Sequence, residues 1–364
     1  MGILRDMPTL DPTAAPIEDL IGADRVGAGQ LERAAAFVVG LLNDPAAEIR
    51  VAGGQLELSE DLVVPGHPDR FELAALDRRE PGTVWAVDGG SCLVADARSF
   101  SVAAYRVARV RFADGVTELV ESPALEVLAL SGDRLARVAR DALLELGESP
   151  EQLPDLPRPV DALREWAEWR EVQRTIAQAS SGDLVLVDGS LHGGPLVPPG
   201  VVRRVHAQAV EHNVSLAGVV KASTLYWGRH APLVTLLKRR GDRELGSVPW
   251  AAHISTDPVF GRLYVGEIFV AHLAPTAPYA FRVDVARGPG SELDVLQRLA
   301  GLSVDPAFVG YPYPLARAHQ AARVTGYAVA DVRRAFRDEL GRAGMQEDEI
   351  EVLFQDFHVV LNRS

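Results

Sequence analysis

Twice in this chain a run of four apolar residues ends in aspartate and then glycine: Val84-Trp-Ala-Val-Asp88-Gly89 and Leu184-Val-Leu-Val-Asp188-Gly189. A short run that is apolar at every position, and closes on a turn signal, reads as a strand buried on both faces. Asp88 and Asp188 then sit at strand carboxyl ends, where open α/β sheets place their ligands. Asp-Gly also makes an ordinary turn after a strand. Its repetition after two equally apolar strands favours a shared site, with oxygen ligands of the kind hard divalent cations take.

The pattern around these strands is mixed. Phe100–Phe112 reads as a partly alternating strand, and Thr117–Leu130 as a further strand and turn, giving a meander after the first aspartate. Leu135–Leu146 is helical, with Gly147 placed to end it. Val160–Ala179 is a strong helix: Ala162, Trp166, Trp169, Gln173 and Ile176 form one mostly apolar stripe, and Glu165, Glu168 and Glu171 step by three on another side. After Asp188, a helix over 201–213 and a strand over Val214–Val220 ending at Lys221 complete a βαβ unit with parallel pairing. Strands follow at 261–271 and 279–285, and helices at 291–302, 315–325 and 329–344; 352–361 reads as helix then strand. Upstream, Gln30–Leu42 has helical spacing and Leu56–Val64 reads as a strand pair or an extended segment. The division is an N-terminal helical arm and linker over 1–80 and one larger domain over 81–364.

Composition narrows the classes. Of 364 residues, 47% are apolar and 24% charged, as in ordinary globular proteins. No apolar run is long enough to span a membrane, and Met1-Gly-Ile-Leu-Arg5 lacks the apolar core of a signal peptide. One cysteine, Cys92, excludes an internal disulfide and a multi-thiolate zinc site. A cytoplasmic protein is the simplest reading. The net charge of −13 argues against a protein that coats nucleic acid non-specifically, but it is compatible with acids clustered around metals and basic residues confined to one channel. Local basic clusters occur at Arg203-Arg204 and Lys238-Arg-Arg240. The glycines after the two aspartates build neither G-x-G-x-x-G nor a Walker loop, so nucleotide cofactors and ATP are not supported.

Beyond Asp88 and Asp188, three features can carry chemistry. A Glu on the helix feeding the second aspartate strand can reach the same cation; Glu171, heading an apolar end with Val172 and Ile176, is the first choice, and Glu168 the second. Gly310-Tyr-Pro-Tyr-Pro-Leu-Ala-Arg-Ala-His319 sets two tyrosines and two prolines just before a helix, with His319 inside it, and imidazole is a ligand for a transition ion such as manganese beside carboxylates. Lys221, at the edge of a parallel sheet, can meet a phosphate as a point charge. Each has a plain structural alternative: a solvated Glu face, a packed histidine, a strand terminator.

In order and coarse spacing, Val87-Asp-Gly-Gly90, Leu186-Val-Asp-Gly-Ser-Leu191, Gly218-Val-Val-Lys-Ala-Ser223 and the Tyr311–His319 segment resemble the NurA nuclease family, DNA-end-processing partners of the HerA translocase, over about residues 80–364. The resemblance implies a ribonuclease-H-like core with a mixed sheet flanked by helices. It implies a manganese-dependent nuclease, with magnesium as the alternative ion, acting on single-stranded DNA and DNA ends with 5′-to-3′ polarity. It further implies a homodimer docked on a hexameric HerA-type ATPase. By position, Asp88, Asp188 and His319 match metal-binding residues, Tyr311 a site tyrosine and Lys221 a strand-end lysine; the helix acid falls among Glu165, Glu168 and Glu171. Family first turns often read Asp-Gly-Ser, whereas this one reads Asp88-Gly89-Gly90-Ser91.

Two divalent ions supply an activated water, charge relief on the phosphoryl oxygens and help for the leaving oxygen. The expectation is that Asp88 bridges both ions, Asp188 and the helix Glu complete one shell, and His319 the other. Lys221 would contact phosphate, and Tyr311 would orient water or phosphate. Two rivals stand beside this: a catalytically inactive DNA-end clamp that adapts the translocase, and an actin-like ATP-binding phosphotransferase, whose strands also end in Asp-Gly turns.

Overall fold

The two aspartate strands lie side by side in one large sheet. The computed structural model describes residues 68–96, 101–119, 125–130, 132–149, 156, 158–192, 196–227, 231–254 and 265–354. The strands are β1 (Leu73–Ala75), β2 (Val84–Asp96), β3 (Ser101–Ala113), β4 (Val116–Leu119), β5 (Glu126–Leu130), β6 (Leu184–Asp188), β7 (Ser215–Val220), β8 (Tyr226–Trp227), β9 (Ala231–Pro232), β10 (Trp250–Ile254), β11 (Gly266–His272) and β12 (Phe281–Ala286). The helices are α1 (Gly132–Glu145), α2 (Pro159–Gln178), α3 (Pro199–Glu211), α4 (Leu233–Glu244), α5 (Glu292–Leu302), α6 (Tyr313–Ala322), α7 (Gly326–Arg342) and α8 (Glu347–Phe354).

Ten strands form a mixed sheet in the order β1-β10-β11-β12-β7-β6-β2-β3-β4, with β5 also pairing β3; β8 and β9 form a small ladder of their own. β2, β6 and β7 are parallel, and every other pairing is antiparallel. This is the helix-flanked mixed sheet expected from the sequence. The pairing β4-β3-β2-β6-β7, an antiparallel meander followed by two strands parallel to the first, is its ribonuclease-H-like centre.

Register explains why the aspartates meet. Val84 pairs with Leu184 and Val87 with Val187, so Asp88 and Asp188 follow level at the same end. Side chains alternate along a strand. Trp85, Val87, Val185 and Val187 face a core built with α1, α2 and α3. Val84, Ala86, Leu184 and Leu186 face the other core, with Leu296 and Leu299 of α5 and Leu315 and Ala318 of α6. The uniform apolarity of both runs thus reflects two buried faces, each side chain contributing about 1.5–3 kcal/mol on burial. The same alternation points Asp88 and Asp188 toward the α6 face. A third cluster joins Trp250, Ala252 and Val270 to Leu233 and Leu237 of α4.

Several elements depart from expectation. β2 continues through Gly89 and Gly90 to Asp96 rather than ending at the turn signal, because β3 pairs with it along nearly its whole length. The 117–130 segment holds two strands, β4 and β5, both laid against β3. α4, β1 and β10 carry no counterpart in the sequence reading. β1 pairs with β10, and Phe71 is buried, so residues before the expected boundary at 81 belong to the main sheet and core. Gly147 follows α1 at φ +77°, as a helix-ending glycine does. The helix over 30–42, the extended segment over 56–64 and the strand expected near 361 lie outside the described residues. Among the described residues, no helix is long and apolar enough to cross a membrane.

Candidate metal centre

α6 brings His319 to the aspartate end of the sheet. It opens with Pro312 at its N-cap and Pro314 in its first turn, where a missing N–H costs no helical bond. His319 Nδ1 lies 2.8 Å from Asp88 Oδ2. One ligand atom from each of Asp88, Asp188 and His319 falls within 4.8 Å of the others. Asp88 is buried and Asp188 half-buried, while the His319 side chain is 51% exposed, so the group opens to solvent on one side. Burial, and then the charge of Asp188, push the Asp88 carboxyl up to about 6, although Lys221 and His319 pull it down.

Lys221, the residue after β7, stands among these donors. Its Nζ contacts Asp188 Oδ2, and lies 3.3 Å from His319 Nδ1 and 4.0 Å from Asp88 Oδ2. The ammonium is therefore a cation held at the point where two carboxylates and an imidazole converge. That arrangement and a donor set of oxygens with one imidazole fit a divalent ion. Tyr311 lies beneath, its ring 5.2 Å from Lys221 Nζ and edge-on to Phe281. Its buried hydroxyl has no hydrogen-bond partner of ordinary geometry. Burial, then Asp188 and Asp88, push its ionisation well above the usual phenol range.

The helix acids separate. α2 packs on the opposite face of the sheet, yet Glu168, 6% exposed, comes up against Gly89, the residue after Asp88. A Cβ on Gly89 would overlap Glu168 Oε1, so glycine is what allows this approach. Burial pushes the Glu168 carboxyl up; Arg164, its ion-pair partner, opposes this, while Asp88 and Glu165 add to it. Glu171, the first choice from sequence, is placed elsewhere: it pairs with buried Arg109 at 3.3 Å and with Arg174 at 3.5 Å. The reason is helical phase. Glu168 falls among the buried residues of α2, beside Ala167 and Trp169, whereas Glu171 leans toward β3. Glu165 is half-buried against Arg164 at 3.2 Å.

Two residues that sequence reasoning passed over fix α6. A Cβ on Gly90 would overlap the carbonyl of Ala322, so the C-terminal end of α6 sits directly on β2. Arg106, the β3 partner of Gly90, donates to Ala322 O at 3.0 Å and also to Arg323 O. An arginine fork thus serves carbonyls that the helix end leaves without partners. His319 lies one turn earlier, its carbonyl accepting from Arg323 N. Gly90 carried a signal as the residue at which the turn departs from Asp-Gly-Ser; Arg106, inside an alternating strand, carried none.

Beside the donors runs a cleft of about 230 Å³ between α2 and the ends of β6 and β7. Asp188, Glu168, His192 and Arg282 line it, with Trp169 and Leu196 among its walls. Arg282 is anchored by Asp284 at 2.7 and 2.8 Å, and Asp284 also accepts from Leu191 N at 3.0 Å. Members of both basic clusters noted in the sequence are engaged within the chain: Arg204 with Glu148, Lys238 with Asp242, Arg240 with Glu244. Cys92 is half-buried and takes no part in the donor group.

Residues 82–226 match the NurA domain family, a span that holds β2, β6 and β7 with Asp88, Asp188, Lys221 and all three helix glutamates. The NurA nuclease from Sulfolobus solfataricus is similar in structure, with a TM-score of 0.55 at 15% identity, covering 90% of this chain and 97% of that one. A second NurA structure is similar at a TM-score of 0.51 and 8% identity, covering 88% and 99%. At such identities these likenesses show the fold. No curated protein matches the chain in sequence. By its sequence over residues 82–226, and by its fold over most of its length, the chain is similar to NurA proteins.

Proposed function

We propose that this chain is a divalent-cation-dependent DNA nuclease that hydrolyses phosphodiester bonds at the Asp88–Asp188–His319 group. The observation that carries the reading is the convergence of those three ligand atoms within 4.8 Å in a chain similar to NurA proteins. Asp88, Asp188 and His319 would hold the ion, and Glu168, rather than Glu171, would be the helix acid. Glu168 at Gly89 and His319 at 2.8 Å from Asp88 leave Asp88 placed to serve more than one ion if two were bound. Bound divalent ions supply charge relief on the phosphoryl oxygens and a water acidified for attack.

The chain's own groups do the rest. Lys221, which sits at Asp188 and near Asp88, would offer a point charge to the phosphate. The Tyr311 hydroxyl stays protonated and orients water or a phosphoryl oxygen from below. The finer reading, resting on the family resemblance, is a manganese enzyme that cuts single strands internally and degrades DNA ends 5′ to 3′. In that reading it works as a homodimer on a HerA-type hexameric ATPase in DNA-end resection, within the cytoplasm. A complete donor set favours this over an inactive clamp.

The test is cleavage of a labelled single-stranded oligonucleotide by the full chain with manganese, with EDTA, and by Asp188→Asn. Cleavage with manganese only, lost in the variant, is expected. Full activity in EDTA or in Asp188→Asn overturns the reading. Cleavage that rises on adding the ATPase supports the partner assignment, and an unchanged rate removes it.

A further inference from the structure

The cleft beside the cation group is too small for a duplex and carries little free charge. Its volume, about 230 Å³, lies below that of sites enclosing whole drug-sized ligands (~300–1,000 Å³). Its charged walls are balanced from within: Arg164 by Glu165 and Glu168, and Arg282 by Asp284. His192 is kept neutral near pH 7, because burial and then Arg282 pull its pKa down to about 4. Between these lie the buried side chains of Trp169, Leu196 and Val197, with hydroxyls at Ser190 and Thr224. A neutral, partly apolar slot with a few polar atoms suits a flat heteroaromatic ring, not a phosphate. Asp188 belongs to both the cleft and the cation group, so a ligand in the slot adjoins a phosphate held at that group.

We infer that this cleft receives one unpaired nucleobase, that of the nucleotide adjoining the scissile phosphate. The inference rests on the nuclease reading and adds a physical reason for a single-strand requirement: a paired base cannot enter without leaving its partner. Stripping that base from the substrate removes the wall contacts and leaves phosphate recognition intact.

Two arms test it on the full chain. In manganese, calorimetry compares deoxynucleoside 5′-monophosphates with 2-deoxyribose 5-phosphate; at least about tenfold tighter binding of the nucleotides is expected, and affinities within twofold overturn the inference. In Leu196→Trp, which fills the slot, the preference collapses to within about twofold. Ala222→Trp, at the exposed rim, repeats the test should Leu196→Trp fail to fold. A preference that survives both in folded protein places the base elsewhere and overturns the inference. The second arm uses oligonucleotides with a single cleavable bond and an abasic residue on either flank. One flank raises KM at least about tenfold; equal cleavage of both abasic substrates and the parent overturns the inference. A parent substrate left uncut, with the nucleotide preference intact, defeats the nuclease reading and spares the slot.

Discussion

His319 Nδ1 stands 2.8 Å from Asp88 Oδ2, although the two residues are 231 positions apart in the chain. A strand and a helix from opposite ends of the domain meet there, and each relation below depends on that meeting.

Asp88 is held as an acid at a cost when no cation is bound. Its carboxyl is raised from 3.8 to about 6, mainly by burial and then by Asp188. The folded state keeps a proton that the unfolded chain releases between about pH 4 and 6, so this group's contribution to stability falls as pH rises through that window. Metal-free Asp88→Asn is expected to be more stable than the parent at pH 7.5 by about 1–3 kcal/mol, with the difference gone at pH 3.5. Urea unfolding at both pH values measures it; a variant less stable than the parent at pH 7.5 contradicts it.

Glu168 and Glu171 separate function from stability. Glu168→Gln is expected to weaken manganese binding by at least about tenfold with little change in melting temperature. Glu171→Ala leaves Arg109, 4% exposed, without its carboxylate, and is expected to cost about 3–5 kcal/mol while the folded fraction keeps its manganese affinity. Calorimetric titration and denaturation on the two variants decide between them, and the reversed pattern would restore Glu171 as the helix acid.

Lys221 competes for the position it guards. Its ammonium touches Asp188 and lies near both other donors. Lys221→Met is expected to destabilise the metal-free protein, tighten manganese binding several-fold and lower kcat at saturating manganese. Electron paramagnetic resonance titration of free manganese reads the affinity directly. Weakened manganese binding in this variant would make Lys221 a support of the site rather than a stand-in for the ion.

Arg106 acts on the cation through α6. Arg106→Ala strips the donors from Ala322 O and Arg323 O, an expected loss of about 1–2 kcal/mol. Manganese affinity falls with it, and Arg106→Lys restores part of the loss. In an His319→Ala background the same substitution leaves affinity unchanged, because its effect passes through that imidazole. Additive losses in the double variant would sever Arg106 from the site.

The centre of the fold was legible because its chemistry is local. Two runs without a polar interruption can only be strands covered on both sides, and the aspartates after them fall level through parallel register. His319 stood out through its Tyr-Pro-Tyr-Pro lead, and α6 carries it to within 2.8 Å of Asp88. β10, β1 and α4 were not found, since Trp250–Ile254 and Leu73–Ala75 are short and take their strand form from neighbours far along the chain. Which of the three glutamates lies at Gly89 turns on helical phase, which spacing alone does not contain. The Arg106 clamp and the base-sized cleft are products of tertiary packing, assembled from side chains unremarkable in sequence.

The most direct measurement is an anomalous difference map at the manganese edge from a crystal of the full chain soaked in manganese. Peaks coordinated by Asp88, Asp188 and His319, with Glu168 turned to them and Lys221 displaced, are the expected result. An empty donor group at saturating manganese, or manganese bound only elsewhere on the chain, contradicts it.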